Sequence, residues 1–308
     1  MDTLANLKAF LAVSRTGSFS GAARELNVAP SVVTKRIRQI EWRLKSPLFE
    51  RSTRRVSLTP TGQRYLPTVQ RLLADLDDLF SEVQGAAQSL QGNIRIKVPS
   101  TVAAVLIGPL LDGFAQAFPL ICLEVIALDR AVNPVDEGFD LALTLMPSAF
   151  GGVVDVPLCA MPRQLCASPA YLARKGTPMH PRELPQHDTL IFLPTGSTWE
   201  FSSHSGPVRV DLQPRLSTNE AQLLLSAALA GNGIAILGGY LAASALRTGA
   251  LVPVLSDYPI TDLWLKALVP QSRIQVDRVQ ALLRWLQANL STGQKAEEFL
   301  HPAIQTAP

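Results

Sequence analysis

Residues 18–58 read SFSGAARELNVAPSVVTKRIRQIEWRLKSPLFERSTRRVSL, and the rest of the chain is interpreted outward from them. Two short helical patterns meet at a tight turn, Asn27-Val28-Ala29-Pro30. In the second pattern, at about 100° per residue, Val33, Ile37, Ile40 and Leu44 fall on one side. Ser31, Thr34, Lys35 and Arg38 fall on the other. Pro30 suits the first helical position, where its missing N–H would have no partner anyway. In the first pattern Phe19, Ala22, Ala23 and Leu26 form an apolar stripe, and the two alanines allow close helix–helix approach.

The flanks extend this pattern. Residues 4–14 predict an earlier helix with Leu4, Leu7, Phe10, Leu11 and Val13 on its inner side. Gly17 stops it, and Ser18 is placed to cap the next helix. After the second helix, Leu48 and Phe49 anchor one strand and Val56 and Leu58 another, with Arg51, Arg54 and Arg55 at and beside the hairpin tip. This is the layout of a winged helix-turn-helix, in which one helix enters a DNA groove. Hydroxyls and cations on its outer face suit phosphates and base edges, and a basic wing suits backbone or minor groove. The candidate DNA-contacting residues are Ser18, Pro30, Ser31, Thr34, Lys35, Arg38, Arg51, Arg54 and Arg55. Taken singly, the helix also reads as an amphipathic surface helix with a solvated basic face, and the wing as a solubilising loop.

Charge supports the first reading. Residues 1–60 hold eleven Lys/Arg against four Asp/Glu, an excess of seven cations. The whole chain's excess is only three, so the remainder carries an excess of four acids. A basic head on a mildly acidic body predicts a polyanionic partner for the head alone. Hydrophobic residues make up 47% of 308, enough for two or three domains with their own cores. The N-terminus opens on an acid and enters an amphipathic helix, so no signal peptide is expected. No uninterrupted apolar run reaches the ~20 residues of a membrane span. Cys122, Cys159 and Cys166 suit a reducing cytoplasm better than a disulfide framework.

Thr59-Pro60 opens a long helix, with Thr as cap and Pro in the first turn. Leu66, Val69, Leu73, Leu76, Phe80 and Val83 step by three and four, a heptad-like seam. Such a seam needs a partner, either the same helix of a second subunit or the chain's own body. Pro67 predicts a bend near the helix start. Gln88–Gly92 then reads as a polar hinge.

Beyond the hinge the pattern alternates. Ile94–Val98, Leu120–Leu128, Leu141–Leu145, Arg163–Ala167, Thr189–Leu193, Ile234–Leu237, Leu251–Val254 and Leu263–Val269 read as strands. Val102–Phe118, Glu220–Ala230, Tyr240–Arg247 and Val276–Leu290 read as helices. Alternation of this kind predicts an α/β body with mostly parallel strands. Breaks near 147–152 and 168–169 suggest two lobes, and the residues from about Ser291 onward read as a fraying tail.

Taken together the layout resembles a LysR-type transcriptional regulator over nearly its full length. The strongest part is Leu26–Gly62, LNVAPSVVTKRIRQIEWRLKSPLFERSTRRVSLTPTG, with its LFER wing, RR-V-x-L-T and the T-x-x-G that opens the linker helix. Pro30, Thr34 and Trp42 depart from the residues usual in the family. Trp42 follows Thr34 and Lys35 by about two turns on the same azimuth, and either a phosphate-flanking contact or packing on a partner would use it. The resemblance implies a winged helix-turn-helix in 1–58, a dimerisation helix in 59–89 and a periplasmic-binding-protein-like effector domain in 90–308. Its first lobe would span about 93–162 and 266–292, and its second about 163–265. It further implies promoter DNA, a small-molecule effector, a homodimer or homotetramer and RNA polymerase as partners, and no membrane.

For the effector the residues offer Ser100 and Thr101 after the first strand, Thr144 ending another, Thr195, Gly196 and Ser197 after a third, and Thr218 and Asn219 before a helix. Ligands in open α/β sheets sit beyond the strand ends, near helix N-termini. Ser100 and Thr101 could therefore hold an anionic group, or be a plain helix cap. Arg130 is the nearest cation in sequence, and a solvated surface role suits it equally.

Enzyme chemistry has no comparable signature. His180, His187, His204 and His301 lack metal-ligand spacing, and the glycine pairs at 231–233 and 238–239 read as turns rather than a phosphate loop. No enzyme activity, metal or cofactor is expected. Cys159 and Cys166 read as buried thiols, with redox sensing as the alternative. The sequence thus predicts a DNA-binding regulator controlled by a small molecule. A cytoplasmic small-molecule-binding or redox-sensing protein stands as the other reading.

Overall fold

The computed structural model describes residues 2–51, 56–83 and 90–291, without the side chains of 51, 77–83 and 291. The wing tip with Arg54 and Arg55, residues 84–89, which include Gln88 and Ser89 of the expected hinge, and the tail from 292 lie outside the described residues.

The head is built by its caps. Helix α1 (Thr3–Thr16) starts where Asp2 Oδ1 accepts from the Ala5 N–H at 3.0 Å. It ends at Gly17, whose φ of 61° an L side chain rarely adopts. Ser18 Oγ accepts from the Gly21 N–H at 3.2 Å and starts α2 (Phe19–Glu25). Asn27 makes the turn at φ 51°, and Pro30 opens α3 (Pro30–Leu44). Val33 and Ile37 are fully buried among Phe10, Val13, Ala22 and Ala23. Strands β1 (Phe49–Arg51) and β2 (Val56–Leu58) form the wing, with Phe49 opposite Leu58. Glu41 of α3 fixes its root, accepting from the Leu48 and Phe49 N–H groups at 2.9 and 3.3 Å.

Helix α4 (Pro60–Val83) is capped by Thr59, whose Oγ1 accepts from the Gly62 N–H at 3.0 Å. A Cβ on Gly62 would lie 2.2 Å from the Leu48 carbonyl oxygen, so only glycine lets α4 start against the wing. The helix continues through Pro67. Here the structure corrects the expected seam. Val69 and Leu73 are already sealed inside the chain's own head, at 5% and 6% exposure, and Leu66 packs beside them. The apolar stripe lies against the core that α1 helps to form, so these positions are closed to a second subunit. Leu76 is half-buried, while the Phe80 and Val83 side chains lie outside the described residues. Among the described residues, Tyr65 and Leu72 are exposed apolar groups of α4.

The body begins with β3 (Gly92–Val98) and the helix α5 (Ser100–Ala117), which carries a π turn at Ala103–Ile107. That helix is long and apolar enough to cross a membrane by composition. Here it places Val102, Ile107, Leu111 and Phe114 in the core of the first lobe. Next come β4 (Ile121–Ala127), α6 (Pro134–Glu137), β5 (Leu141–Thr144) and β6 (Val153–Met161). The chain passes Pro162 into a second sheet through β7 (Arg163–Ala167), followed by α7 (Pro169–Lys175) and β8 (Thr189–Phe192). A hairpin of β9 (Thr198–Phe201) and β10 (Val208–Asp211) leads to β11 (Pro214–Thr218), α8 (Ala221–Leu229), β12 (Ile234–Gly238), α9 (Gly239–Arg247) and β13 (Val252–Pro253). The chain then returns through β14 (Leu263–Pro270) and ends in α10 (Asp277–Ser291).

The sheets are ordered β4-β3-β5-β14-β6 and β11-β8-β12-β7-β13. They are mixed rather than mostly parallel. β3 runs parallel to β4 and β5, but β14 is antiparallel to both its neighbours, and β7 is antiparallel to β12 and β13. The reason is the double passage between lobes: β6 leaves the first sheet where β14 re-enters it, so Met161 faces Leu263 and the two strands run in opposite directions. The breaks at 147–152 and 168–169 are the β5–β6 connection and the start of α7, not the passage between lobes.

The polar side of α4 rests on the first lobe. Gln70 accepts from Arg95 at 3.1 Å, and Asp75 pairs at 2.9 Å with Arg273, which also lies 3.3 Å from Asp140. The two faces of α4 therefore predict different mutational costs. Leu73→Ala is expected to destabilise the protein by about 2–5 kcal/mol, as a buried leucine truncation does. Gln63→Ala, at an exposed position of the same helix, should change it by less than about 0.5 kcal/mol. Equilibrium urea unfolding followed by circular dichroism separates the two, and equal losses would contradict this packing.

Candidate nucleic-acid interface and interlobe cleft

Burying Val33, Ile37 and Ile40 turns the opposite side of α3 outward. Ser31, Thr34, Lys35, Arg38, Gln39 and Trp42 line one shallow, open depression on that side. Ser31, Lys35 and Arg38 are exposed and Thr34 is half-exposed, with its Oγ1 donating to the Pro30 carbonyl at 3.0 Å. Among the described residues neither Lys35 nor Arg38 is in an ion pair, so their charge faces solvent uncompensated. Pro30 is exposed at the helix start. Ser18 is half-buried and its Oγ is engaged in capping α2, which makes it a structural residue at the edge of this face. Arg51 belongs to β1, but its side chain, like Arg54 and Arg55, lies outside the described residues.

A second concavity lies between the lobes. It is small, about 80 Å³, and its walls are mainly apolar, including Val102, Leu145, Met161, Phe192, Leu224 and Ile236. Of the expected effector residues, Thr101, Thr195 and Asn219 line it. Ser100, Thr144, Gly196 and Thr218 are not among its lining residues. Most of these polar groups are already engaged. Thr144 Oγ1 accepts from the Met146 N–H at 3.1 Å, Thr195 Oγ1 donates to the Phe192 carbonyl at 3.0 Å, and Thr218 Oγ1 accepts from the Glu220 N–H at 3.0 Å.

The anionic group expected at Ser100 and Thr101 is supplied by the chain itself. Asp129 Oδ1 accepts from the Ser100 N–H at 2.8 Å, and the Thr101 hydroxyl donates across the cleft to the Glu220 carboxylate. Sequence reasoning missed Asp129, Glu220 and Tyr240. Glu220 carried a usable signal as the cap of α8, accepting from the Gln222 N–H at 3.1 Å. Tyr240 lines the cleft, and burial, reinforced by Glu220 and Asp129, pushes its hydroxyl up to about 12. It therefore stays a neutral donor at physiological pH. Arg130 turns away, exposed and paired with Glu137 at 2.6 Å, a hydrogen bond that raises its pKa. The cleft thus offers apolar walls, the Asp129 carboxylate, the Arg163 guanidinium and the Tyr240 phenol, with Glu220 reached through Thr101, a set suited to orienting a small molecule.

The thiols are separated. Cys159 lies in β6 and Cys166 in β7, in different sheets, and Cys122 is exposed on β4. Burial pushes Cys159 up to about 11 and Cys166 up to about 12, so neither is an activated thiolate. His187 pairs with the Tyr171 hydroxyl at 3.3 Å and burial lowers its pKa. Among the described residues no His, Cys, Asp and Glu group is arranged to hold a metal, and His301 lies outside them.

Comparison with known proteins places these features together in other chains. Residues 4–63 match the family described as bacterial regulatory helix-turn-helix protein, lysR family, and residues 87–291 match the LysR substrate binding domain. The chain is 33% identical to an uncharacterised helix-turn-helix-type transcriptional regulator, YhjC, of Escherichia coli K12, over 93% of this chain and 97% of that one. It is 32% identical to the regulator DmlR of the same organism, over 84% and 85%. The structure of CrgA, a LysR-type transcriptional regulator from Neisseria meningitidis, aligns with a TM-score of 0.61 at 27% identity, over 94% of this chain and 99% of that one. A full-length AphB variant aligns with a TM-score of 0.66 at 25% identity, over 93% and 99%.

The cysteine environments predict selective labelling. At pH 8, iodoacetamide should modify Cys122 quickly and leave Cys159 and Cys166 intact until denaturant is added, because their thiolate fractions are on the order of a thousandth or less. Peptide mass mapping reads the sites, and early modification of Cys159 or Cys166 would contradict this.

Proposed function

The chain belongs to the LysR family of transcriptional regulators, and from that premise we propose which surfaces carry its work. It is a DNA-binding transcriptional regulator with an effector-binding domain. We assign promoter DNA to the outer face of α3. Thr34, Lys35 and Arg38 reach base edges and phosphates from the major groove, with Ser31 and Pro30 at the helix start. The wing arginines Arg51, Arg54 and Arg55 hold the backbone beside it. The observation that carries this reading is the pairing on one helix of a sealed apolar side with exposed cations that, among the described residues, have no ion-pair partner.

The effector occupies the interlobe cleft, against Thr101, Thr195 and Asn219, and meets Glu220, Asp129 and Tyr240 there. It competes with the contact between Thr101 and Glu220, which joins the lobes without it. The open strip of α4 with Tyr65 and Leu72, beside the half-buried Leu76, receives the same strip of a second copy. That arrangement sets two heads about a two-fold axis and leads on to a tetramer. The protein works in the cytoplasm, and RNA polymerase is its partner at the promoter.

A duplex selected by the protein from a random-sequence pool tests the head. Arg38→Ala should weaken binding to it and lower the slope of log affinity against log salt by about one unit, with the oligomer unchanged. A variant with wild-type affinity and slope would remove Arg38 from the interface. For the cleft, a metabolite screen by thermal shift should find a ligand of low micromolar affinity that stabilises the protein by about 2–4 kcal/mol at saturation. That gain should disappear in Glu220→Ala. A gain that survives there places the ligand elsewhere.

A further inference from the structure

The sequence leaves Trp42 two uses, a phosphate-flanking contact or packing on a partner, and the surfaces assigned above take up neither. It is 80% exposed, the highest value among the large exposed apolar side chains of the described residues. It contributes nothing to the head's core, although α3 buries Val33, Ile37 and Ile40 on its other side. An indole held in water forgoes the burial that makes aromatic side chains valuable, so it is an economical choice only where something covers it. The structure shows where that cover comes from. Trp42 lines the same depression as Ser31, Thr34, Lys35, Arg38 and Gln39, one helical turn beyond Arg38 and two beyond Lys35. The cations around it suit a polyanion.

A second copy of the same face is a poor cover. Two-fold contact would set Lys35 and Arg38 against their own equivalents, a like-charge juxtaposition. DNA meets both demands. With Thr34 at the base edges, Trp42 lies about 12 Å further along the axis, comparable with the width of the major groove. At that distance the helix has reached the sugar–phosphate wall. An indole presents a flat apolar face to the deoxyriboses and a ring N–H to a phosphate oxygen.

We propose that Trp42 is a DNA-contacting residue that seats its indole on the sugar–phosphate wall flanking the bases read by Thr34, Lys35 and Arg38. This rests on the assignment of α3's outer face to DNA. An uncharged contact releases no counterions, so Trp42 adds affinity without adding to salt dependence.

The test uses the full chain and the duplex selected from the random pool. Binding is followed by fluorescence anisotropy over a salt series for the wild type, Trp42→Ala, Trp42→Phe and Arg38→Ala. Trp42→Ala should bind about tenfold more weakly with an unchanged salt slope, whereas Arg38→Ala lowers the slope. Trp42→Phe should keep part of the affinity, because its ring retains the apolar face but not the N–H. The tryptophan emission that is present in the wild type and missing from Trp42→Phe should be shielded from acrylamide when duplex is added. If the wild type selects no duplex, the assignment of the head fails and this inference with it. If Arg38→Ala weakens binding while Trp42→Ala binds as the wild type does, and the Trp42 emission stays open to acrylamide, the inference alone fails. If Trp42→Ala sediments as monomers, the indole serves a subunit contact and the inference is likewise overturned.

Discussion

Val33 and Ile37 are fully buried against α1 and α2, and that burial fixes the rotation of α3 about its own axis. With the apolar side held, Ser31, Thr34, Lys35 and Arg38 have only one direction left, outward. The wing depends on the same helix, because Glu41 holds two backbone N–H groups at the root of β1. A carboxylate accepting from backbone donors makes one of the stronger hydrogen bonds available to a small domain. The reading helix and the wing are thereby placed as one body. Gly62 extends that body into α4, since any side chain there would strike the wing's carbonyl.

From α4 the constraint reaches the first lobe. Arg273 is nearly buried and meets carboxylates from two directions, Asp75 on the helix and Asp140 on the body. Asp140 also accepts from the Arg95 N–H at 2.7 Å, and Arg95 reaches Gln70 on α4. A buried charge network of this kind adds little net stability over an apolar one, but losing one member leaves a charge uncompensated in the interior. Its effect is to register the helix that carries the head against the lobe that carries one wall of the cleft. The other wall is joined to that lobe by the Thr101–Glu220 hydrogen bond and by the two chain crossings, one after β6 and one before β14. A ligand that shifts the lobes would move groups connected through the first sheet to α4, and differential binding to two lobe arrangements is the only source of free energy for such a shift.

Many local features could be read directly from the residues. Gly17, Ser18, Pro30 and Thr59 act as stop, cap, first-turn proline and cap because each role depends on a few neighbouring backbone groups. β7 at Arg163–Ala167 was legible as a short apolar run. β6, the β9–β10 hairpin and β11 were not. β6 pairs with a strand from far along the chain and β11 is mostly exposed, so neither shows a clean alternation, β6 carrying only Leu158 and Met161 fully inside. The hairpin does alternate, with Trp199 and Phe201 inward and Thr198 and Glu200 outward, a local signal that sequence reasoning missed. The order of strands was equally out of reach, because β14 is inserted between β5 and β6 after a long excursion through the other lobe.

The sequence by itself determined the winged head, the outward set on α3, the two-part α/β body and the membership these imply. Periodicity and capping are short-range properties, and a helix with one greasy side must bury it. Tertiary structure decided what each side meets. Val69 and Leu73 look like a subunit seam in the sequence and are interior to the head in space, because an apolar stripe does not specify which core will take it. Ser100 and Thr101 look like an open anion site and are met by Asp129 and Glu220, because a hydrogen-bonding group can be satisfied by a residue more than a hundred positions away.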